Sequence, residues 1–209
     1  MSRVRIFDQS GAAIAEPGVD VWRSWRLNAY GRASFTLPAN HPAARPEILA
    51  FGNYLLVEHD TLPTWGGVID TPRRWGKLTV QVNACSAERI LEWRRGPYLL
   101  LVRNTPGGLF RRILQTANQQ GDTRISEGEI FSGGTGRDET LSLFNLYGEI
   151  CRLAADYGCD WEIEPQIDSA GRRSFRANWY ARRGLRRDLP LQEGVNIELS
   201  DLILREGAP

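Results

Sequence analysis

The sequence lacks a long apolar run, a block of like charges and, almost completely, lysine. No window approaches the roughly 18 apolar residues of a membrane-spanning helix, and the start, MSRVRIFDQS, has no apolar signal-peptide core. With 26 basic and 25 acidic side chains the net charge is +1, so no overall field attracts nucleic acid or anionic lipid. We expect synthesis in the cytoplasm and no membrane anchor. Lys77 is the only lysine, so nearly every positive charge is an arginine.

Cysteine and histidine are also scarce, which bears on metal sites. Cys85, Cys151 and Cys159 are odd in number and form no CxxC pair, so the sequence favours three small core residues over a disulfide framework or a zinc site. His41 lies in a proline-rich loop and His59 at a predicted strand end, with no third ligand at a suitable spacing. No GxSxG or Cys–His signature pairs His59 with a nucleophile. We predict turn histidines, no metal, no cofactor and no catalytic residue.

The first part of the chain has the alternation of β-strands. Segments 19–27 and 33–37 are expected to form a hairpin, and the later strands follow at roughly the ten-residue spacing of a sandwich or barrel. Closing the strands into a small barrel would remove their exposed edges. The predicted strands are 3–8, 19–27, 33–37, 54–59, 64–70 and 78–83.

Helical periodicity begins after these strands. Thr105 can cap a helix that starts at Pro106 and ends at Gly121, and a capping box at 135–138 opens the strongest predicted helix, which ends at Gly158. The other predicted elements are a helix at 87–94 and strands at 98–102, 160–164, 174–180 and 195–204.

Together these elements predict an α+β protein that is mainly β. An N-terminal small barrel, domain 1–97, precedes a helix-containing α/β part, domain 98–209, with a helical insertion at about 105–158. This second part is expected to return to a second barrel-type strand set. No flexible linker separates the two halves, so we expect them to share contacts.

Two patterns could carry catalysis or phosphate binding, and the residues favour neither. The carboxylate pairs Glu127/Glu129 and Glu162/Glu164 have the spacing of a solvated strand face, whereas a glycosidase needs two carboxylates across a cleft. The glycine-rich segment 133–136 precedes a predicted helix but lacks the Lys–Ser/Thr of a phosphate loop, so a flexible loop with a helix cap is favoured. We therefore predict no enzymatic activity.

Glycine and tryptophan give two structural expectations. Two glycines follow Trp65 in the segment 65–69, WGGVI, and glycine inside a strand predicts a bulge or a close approach of another backbone. The tryptophans in periodic segments are expected to pack in the core. These are Trp22, Trp25, Trp93 and Trp161.

Arginine and aromatic residues are interleaved at 172–187. Such a run can bind single-stranded nucleic acid through phosphate contacts and stacking. The chain is electroneutral and has no RNP, KH or helix-turn-helix motif, and arginine with tryptophan is also the composition of protein interfaces. The sequence therefore favours a subunit interface. Its predicted residues are Arg172, Arg173, Arg176, Trp179, Arg182, Arg183, Arg186 and Arg187.

The predicted barrel contains a series of short motifs. A strand ending in Leu-Pro (35–38, FTLP) precedes 52–58 (GNYLLVE) and the strand 65–69 (WGGVI). Then 78–82 (LTVQV) leads into 86–94 (SAERILEWR), a strand followed by a short helix with an arginine at its end. This series resembles the N-terminal barrel of the phage baseplate-hub proteins, also called tail-associated or tail-tip proteins.

The likeness continues to near the end of the chain. A helix opens at 105–108 (TPGG), a long helix leads into 158–163 (GCDWEI), and 194–197 (GVNI) is similar to the segment that leads the family's chain toward a second barrel strand set. The resemblance implies a structural virion protein of a long-tailed phage, located at the virion tail tip and made in the host cytoplasm. Larger members continue into fibre, lysin or receptor-binding regions, so we expect either a minimal hub or a hub that leaves those roles to other chains, without a cell-wall hydrolase of its own.

The resemblance also implies partners. Hub proteins of this kind form rings of three copies that join the sixfold tail tube to the tip or receptor-binding apparatus, and such rings close by heterologous contacts. The implied partners are two further copies in a homotrimer, the distal tail protein or tube, tip or fibre proteins, and the tape measure protein.

Two other functions fit parts of the sequence. Seven tryptophans and the carboxylate pairs fit a carbohydrate-binding or cell-wall-degrading tail module, with Trp75 as a candidate for stacking on a sugar. The 172–187 run fits a single-strand nucleic-acid-binding protein.

Overall fold

Strands dominate the fold in a computed structural model of the protein, which describes residues 2–182. This confirms the predicted α+β class with mainly β structure; the predicted strand at 195–204 lies outside the described residues. The elements are β1 (Ser2–Phe7), β2 (Ala13–Ala15), β3 (Trp22–Arg23), β4 (Arg32–Pro38), β5 (Tyr54–His59), β6 (Trp65–Trp75), β7 (Thr79–Ser86), α1 (Arg89–Glu92), β8 (Tyr98–Asn104), α2 (Pro106–Gln119), β9 (Ile125–Ile130), β10 (Arg137–Ser142), α3 (Leu146–Tyr157), β11 (Asp160–Ile167) and β12 (Arg173–Tyr180).

The N-terminal strands form one seven-stranded antiparallel sheet, in the order β2-β1-β5-β6-β7-β4-β3. The predicted hairpin is present, because Trp22 of β3 pairs with Ser34 of β4. β3 has two residues and β2 has three, and these short edge strands are not hydrogen-bonded to each other. The predicted closed barrel is therefore wrong for residues 2–182, where the sheet stays open.

Strand β5 lies in the middle of the molecule and is buried on both faces. Leu55 and Val57 pack into a core on one side of the sheet, while Tyr54 and Leu56 pack into a second core on the other side. A continuous apolar run is typical of a strand covered on both faces. The N-terminal sheet therefore separates two hydrophobic cores.

The second core joins the N-terminal sheet to the C-terminal half. It contains the rings of Phe110 on α2, Trp161 on β11 and Trp179 on β12, with the Phe110 ring centroid 6.5 Å from that of Trp161 and 5.0 Å from that of Trp179. β11, β12 and β9 form a three-stranded sheet, and β8 and β10 form a two-stranded ribbon. The two halves thus share a core, while the predicted boundary near residue 97 stays a prediction.

The helices agree with the sequence at α2 and differ at the start of α3. The Thr105 hydroxyl accepts the Gly108 N–H at 3.2 Å, as predicted for an N-cap. α3 begins at Leu146, and the Asn145 side chain accepts the Gly148 N–H at 3.0 Å. The predicted capping box at 135–138 is wrong, because β10 occupies this region and pairs with β8. No helix within residues 2–182 is long and apolar enough to span a bilayer.

Candidate interaction surfaces

A groove of about 520 Å³ lies between the N-terminal sheet and β11. The extended segment 24–27 forms one wall, residues 162–166 of β11 form the other, and Trp65 and Gly66 of β6 lie between them. The Trp65 indole N–H donates to the Ser24 carbonyl at 3.1 Å, which attaches the first wall to β6. We call this feature the inter-sheet groove.

Gly66 lets the two sheets approach each other beside this groove. A Cβ at Gly66 would overlap the Cβ of Pro165 on β11, and a Cβ at Gly67 would overlap the carbonyl of Cys85 on β7. Both positions therefore require glycine for steric reasons. The close approach predicted from the sequence WGGVI is confirmed.

The inter-sheet groove is apolar on one wall and acidic on the other. Trp25 and Leu27 line the first wall and are about half exposed, at 48% and 52%. Glu162 and Glu164 line the second, and the Tyr180 hydroxyl donates to Glu162 at 3.0 Å. Arg26 is the basic residue of the lining. The groove therefore offers apolar contact area on one wall and carboxylate side chains on the other.

Glu88 also lines the inter-sheet groove and is itself buried. One of its carboxylate oxygens accepts the Ile163 N–H at 3.2 Å, and the other makes no hydrogen bond within residues 2–182. Burial raises the pKa of the Glu88 carboxyl above its ordinary value. Glu88 thus connects the end of β7 to β11 through a carboxyl group that burial disfavours in its charged form.

The turn between β6 and β7 forms a second exposed surface. Residues 74–79 are all exposed, and Leu78 has 83% of its surface in solvent. β5 pairs with β6 between Trp65 and Val68, so the far end of β6 extends past β5 with β7 beside it. Trp75 is also exposed, and Arg74 and Lys77 add positive charge. We call Arg74, Trp75, Lys77 and Leu78 the hairpin tip.

The predicted subunit-interface residues are divided between the surface and the core. Arg172, Arg176 and Arg182 are exposed, and their interface role stays a prediction. Arg173 and Trp179 are buried within the chain itself, and their predicted interface role also stays a prediction. The remaining three, Arg183, Arg186 and Arg187, lie outside the described residues.

Arg173 is buried because it occupies the inward face of β12. Phe175, Ala177 and Trp179 share its parity, and successive side chains of a strand alternate between faces. The Arg173 guanidinium lies over the rings of Tyr54 and Phe175, and its nitrogens make no hydrogen bond within residues 2–182. Burial lowers the pKa of this guanidinium.

The same burial bears on the nucleic-acid interpretation. Phe175 and Trp179, the rings that would stack on bases, face the core and are inaccessible. The tryptophan predictions have mixed outcomes. Trp161 is buried as predicted, whereas Trp22 and Trp25 are exposed, because β3 is a two-residue edge strand and the following segment forms a groove wall.

The candidate metal ligands have structural contacts. The ring nitrogen Nδ1 of His41 accepts the Ala43 N–H at 3.1 Å, and that of His59 accepts the Thr61 N–H at 3.2 Å. His41 lies in the loop after β4, and His59 is the last residue of β5, at a strand end as predicted. In the part of the chain that the structure describes, no group of three or more histidine, cysteine, aspartate or glutamate side chains has an arrangement that could hold a metal ion.

The cysteines are free thiols, as predicted. Cys85 and Cys159 are buried, and Cys151 is half-buried. Burial, with the nearby Asp70 carboxylate, raises the pKa of the Cys85 thiol to about 12. Burial and the Asp70 carboxylate therefore favour the protonated form of the Cys85 thiol.

The remaining candidates also have ordinary environments. Glu127 is exposed and pairs with Arg111 at 3.2 Å, and Glu129 is exposed. Segment 133–136 leads into β10 instead of a helix, so the helix cap predicted there is wrong. Trp75 is exposed, and the sugar-binding hypothesis stays a prediction.

Comparison with known proteins identifies the fold. No protein-family model and no curated protein sequence matches this chain. Among solved structures, the tail protein from Neisseria meningitidis MC58 matches 84% of this chain with a TM-score of 0.52 and 12% identity. The 43 kDa tail protein of prophage MuSo2 from Shewanella oneidensis matches 84% with a TM-score of 0.50 and 12% identity. The chain has the fold of phage tail proteins.

A third similar structure is the Escherichia coli c3393 protein, a component of the type VI secretion system that is structurally similar to the T4 tail proteins gp27 and gp5. It matches 85% of this chain with a TM-score of 0.53 and 11% identity. The matches cover 45% of c3393, 50% of the Neisseria protein and 54% of the MuSo2 protein. The chain therefore spans about half the length of these structures.

Proposed function

We propose that this protein is a structural, non-enzymatic component of a phage-type tail, a hub at the tail tip that joins the tail tube to the tip or receptor-binding apparatus. The observation that carries the proposal is the fold, which two tail proteins, one of them from a prophage, share over 84% of the chain. The segment order in the sequence, which resembles the hub family, supports the same conclusion. The structural match and the sequence motifs are separate observations, because the two matched structures are only 12% identical to this chain in sequence.

The hub assembles as a homotrimeric ring and contacts other tail proteins. The chain exposes several large apolar side chains on different elements, among them Trp22, Leu78 and Leu100. Contacts with other tail proteins would remove the apolar surface of these side chains from water. The proposed partners are the distal tail protein or tube on one side, tip or fibre proteins on the other, and the tape measure protein inside the tail.

The experiment uses the bacterium or prophage that encodes the chain. Tail particles are purified, the protein is quantified by mass spectrometry, and its position is determined with gold-labelled antibody in the electron microscope. We expect about three copies per particle and label at one end of the tail. A deletion strain should give no complete tails, and the wild-type gene in trans should restore them. Particles that are complete without the protein would contradict the proposal.

A type VI secretion apparatus is a second candidate, favoured by the likeness to c3393. In that case the protein belongs to a secretion spike and not to a virion. The same purification distinguishes the two, because virions carry packaged DNA and infect cells. Protein found only in DNA-free secretion complexes, with infectivity unaffected by the deletion, would favour the second candidate.

A further inference from the structure

We propose that the hairpin tip of one copy inserts into the inter-sheet groove of a second copy, so that the ring is built from head-to-tail contacts. The inference rests on the proposed ring and assigns the two surfaces that form it. The argument uses the positions of the surfaces, their apolar side chains and their charges.

The hairpin tip and the groove lie at opposite ends of one strand. Trp65 and Gly66 begin β6 and line the groove, whereas Trp75 ends the same 11-residue strand. β6 has an irregularity between Asp70 and Arg74, and its partner β7 advances only from Ser86 to Val80 alongside it, so the two ends of β6 are roughly 25 Å apart. The tip therefore cannot fill the groove of its own chain, but it can fill that of a neighbour. Two different surfaces in contact make a heterologous interface, which closes into a ring when the rotation allows it.

Both surfaces present large apolar side chains to solvent. The tip has Trp75 and Leu78, which are 47% and 83% exposed, and the groove wall has Trp25 and Leu27. A groove of about 520 Å³ lies within the size range of clefts that hold bulky groups, roughly 300–1,000 Å³. Tryptophan in such a cleft is a typical anchor of a protein interface.

The charges of the two surfaces are opposite. Arg74 and Lys77 are exposed on the tip, and the segment 71–79 contains no acidic residue. The groove presents Glu162 and Glu164 against Arg26. Complementary charge steers association and selects the orientation of the bound surface. Each copy of the chain carries one hairpin tip and one inter-sheet groove. Copies of the same chain can therefore supply both surfaces of the contact in equal numbers.

The first experiment reverses these charges in the full chain and measures molecular mass by analytical ultracentrifugation. The tip variant is Arg74→Glu/Lys77→Glu, and the groove variant is Glu162→Lys/Glu164→Lys. Each variant places like charges in contact and should weaken trimer formation by at least about tenfold. The chain with all four substitutions restores opposite charges and should recover the trimer. Circular dichroism of each variant checks that the fold is retained.

The second experiment tests the apolar contact. Leu78→Glu places a charge in the hairpin tip, whereas the control Leu100→Glu places it on the equally exposed outer face of β8, away from both surfaces. We expect Leu78→Glu to dissociate the trimer and Leu100→Glu to leave it intact. The reverse result would assign the interface to the β8–β10 ribbon and overturn the inference.

The outcomes separate this inference from the proposed function. A wild-type trimer that all charge variants retain would overturn the tip-and-groove contact and leave the hub proposal standing. A wild-type protein that stays monomeric at high concentration would overturn the homotrimeric ring and this contact with it. Loss of the trimer in both charge variants without recovery in the combined chain would also count against a direct pairing of the two surfaces.

Discussion

The guanidinium carbon of Arg173 lies 2.9 Å from the centroid of the Tyr54 ring. Arg173 begins β12 and Tyr54 begins β5, so this contact connects the C-terminal three-stranded sheet to the N-terminal sheet. Phe175 contributes a second ring at 4.0 Å. Aromatic faces attract a cation, but the desolvation of an arginine without a hydrogen-bond acceptor opposes that attraction.

We expect Arg173→Met to raise the free energy of unfolding at pH 7 by about 1 kcal/mol, because it removes a buried charge and keeps most of the volume. Arg173→Ala should instead lower the free energy of unfolding by about 2–4 kcal/mol through the cavity that it leaves. Urea denaturation followed by tryptophan fluorescence measures both. A loss above about 2 kcal/mol in the Met variant would mean that the contact with the rings outweighs desolvation.

Gly66→Ala should lower the free energy of unfolding by about 1–3 kcal/mol, because the new Cβ would overlap Pro165 and push β11 away from β6. Gly18→Ala is the matched control, since a Cβ there meets nothing within 4 Å and the backbone is not left-handed. The control should change stability by at most about 0.5 kcal/mol. Equal changes in the free energy of unfolding of the two variants, in thermal and urea melts, would show that β11 can move away from β6 without loss of stability.

Asn28 holds the reversal before β4 against β11. Its backbone is left-handed, with φ of 56°, its Nδ2 donates to Asp160 at 2.9 Å, and its Oδ1 accepts the Trp161 N–H at 2.8 Å. Asn28→Gly fits the backbone but loses both hydrogen bonds, at about 1–3 kcal/mol. Asn28→Ala should cost roughly 1 kcal/mol more, because alanine is strained at this φ. Equal stabilities of the two variants in urea melts would contradict the backbone part of this prediction.

The pH dependence of the free energy of unfolding should reveal the ionisation of the Glu88 carboxyl group. Because burial raises the pKa of its carboxyl above the ordinary 4.5, the folded protein binds more protons than the unfolded chain between 4.5 and the raised value. Stability therefore falls as the pH rises through this window. Glu88→Gln removes this fall, so the variant should match the wild type below pH 4.5 and be more stable above it. Parallel pH profiles in urea titrations would show that Glu88 ionises without cost.

Local signals in the sequence were enough for several elements. The continuous apolar run that opens segment 54–59 predicts β5 at the observed bounds, and the Thr105–Pro106 pair predicts the start of α2, because the cap and the fixed proline φ act within one turn. β10 could not be found in this way. Its pairing with β8 involves residues far away in the chain, and its polar, exposed residues mimic a helix start.

The surfaces were harder to predict than the elements. The parity of Arg173 with Phe175 and Trp179 does indicate a shared strand face, and that signal could have separated them from Arg172 and Arg176. Which face is inward depends on the packing of α2 and β5, which the local sequence does not contain. The inter-sheet groove likewise joins segment 24–27 to β11, and no sequence pattern connects two such distant segments.

The position of β12 between β11 and β9 means that the three-stranded sheet can be completed only after β12 has been synthesised. β9 pairs in parallel with β12, and the Ser126 hydroxyl bonds the Phe175 carbonyl, 49 positions later in the chain. α2 and β9 therefore leave the ribosome well before their partner strand exists. Until β12 emerges, the ring of Phe110 lacks the Trp179 ring that packs against it in the finished fold. A nascent chain paused in this interval exposes the apolar face of α2, which makes it a substrate for chaperones and a starting point for aggregation.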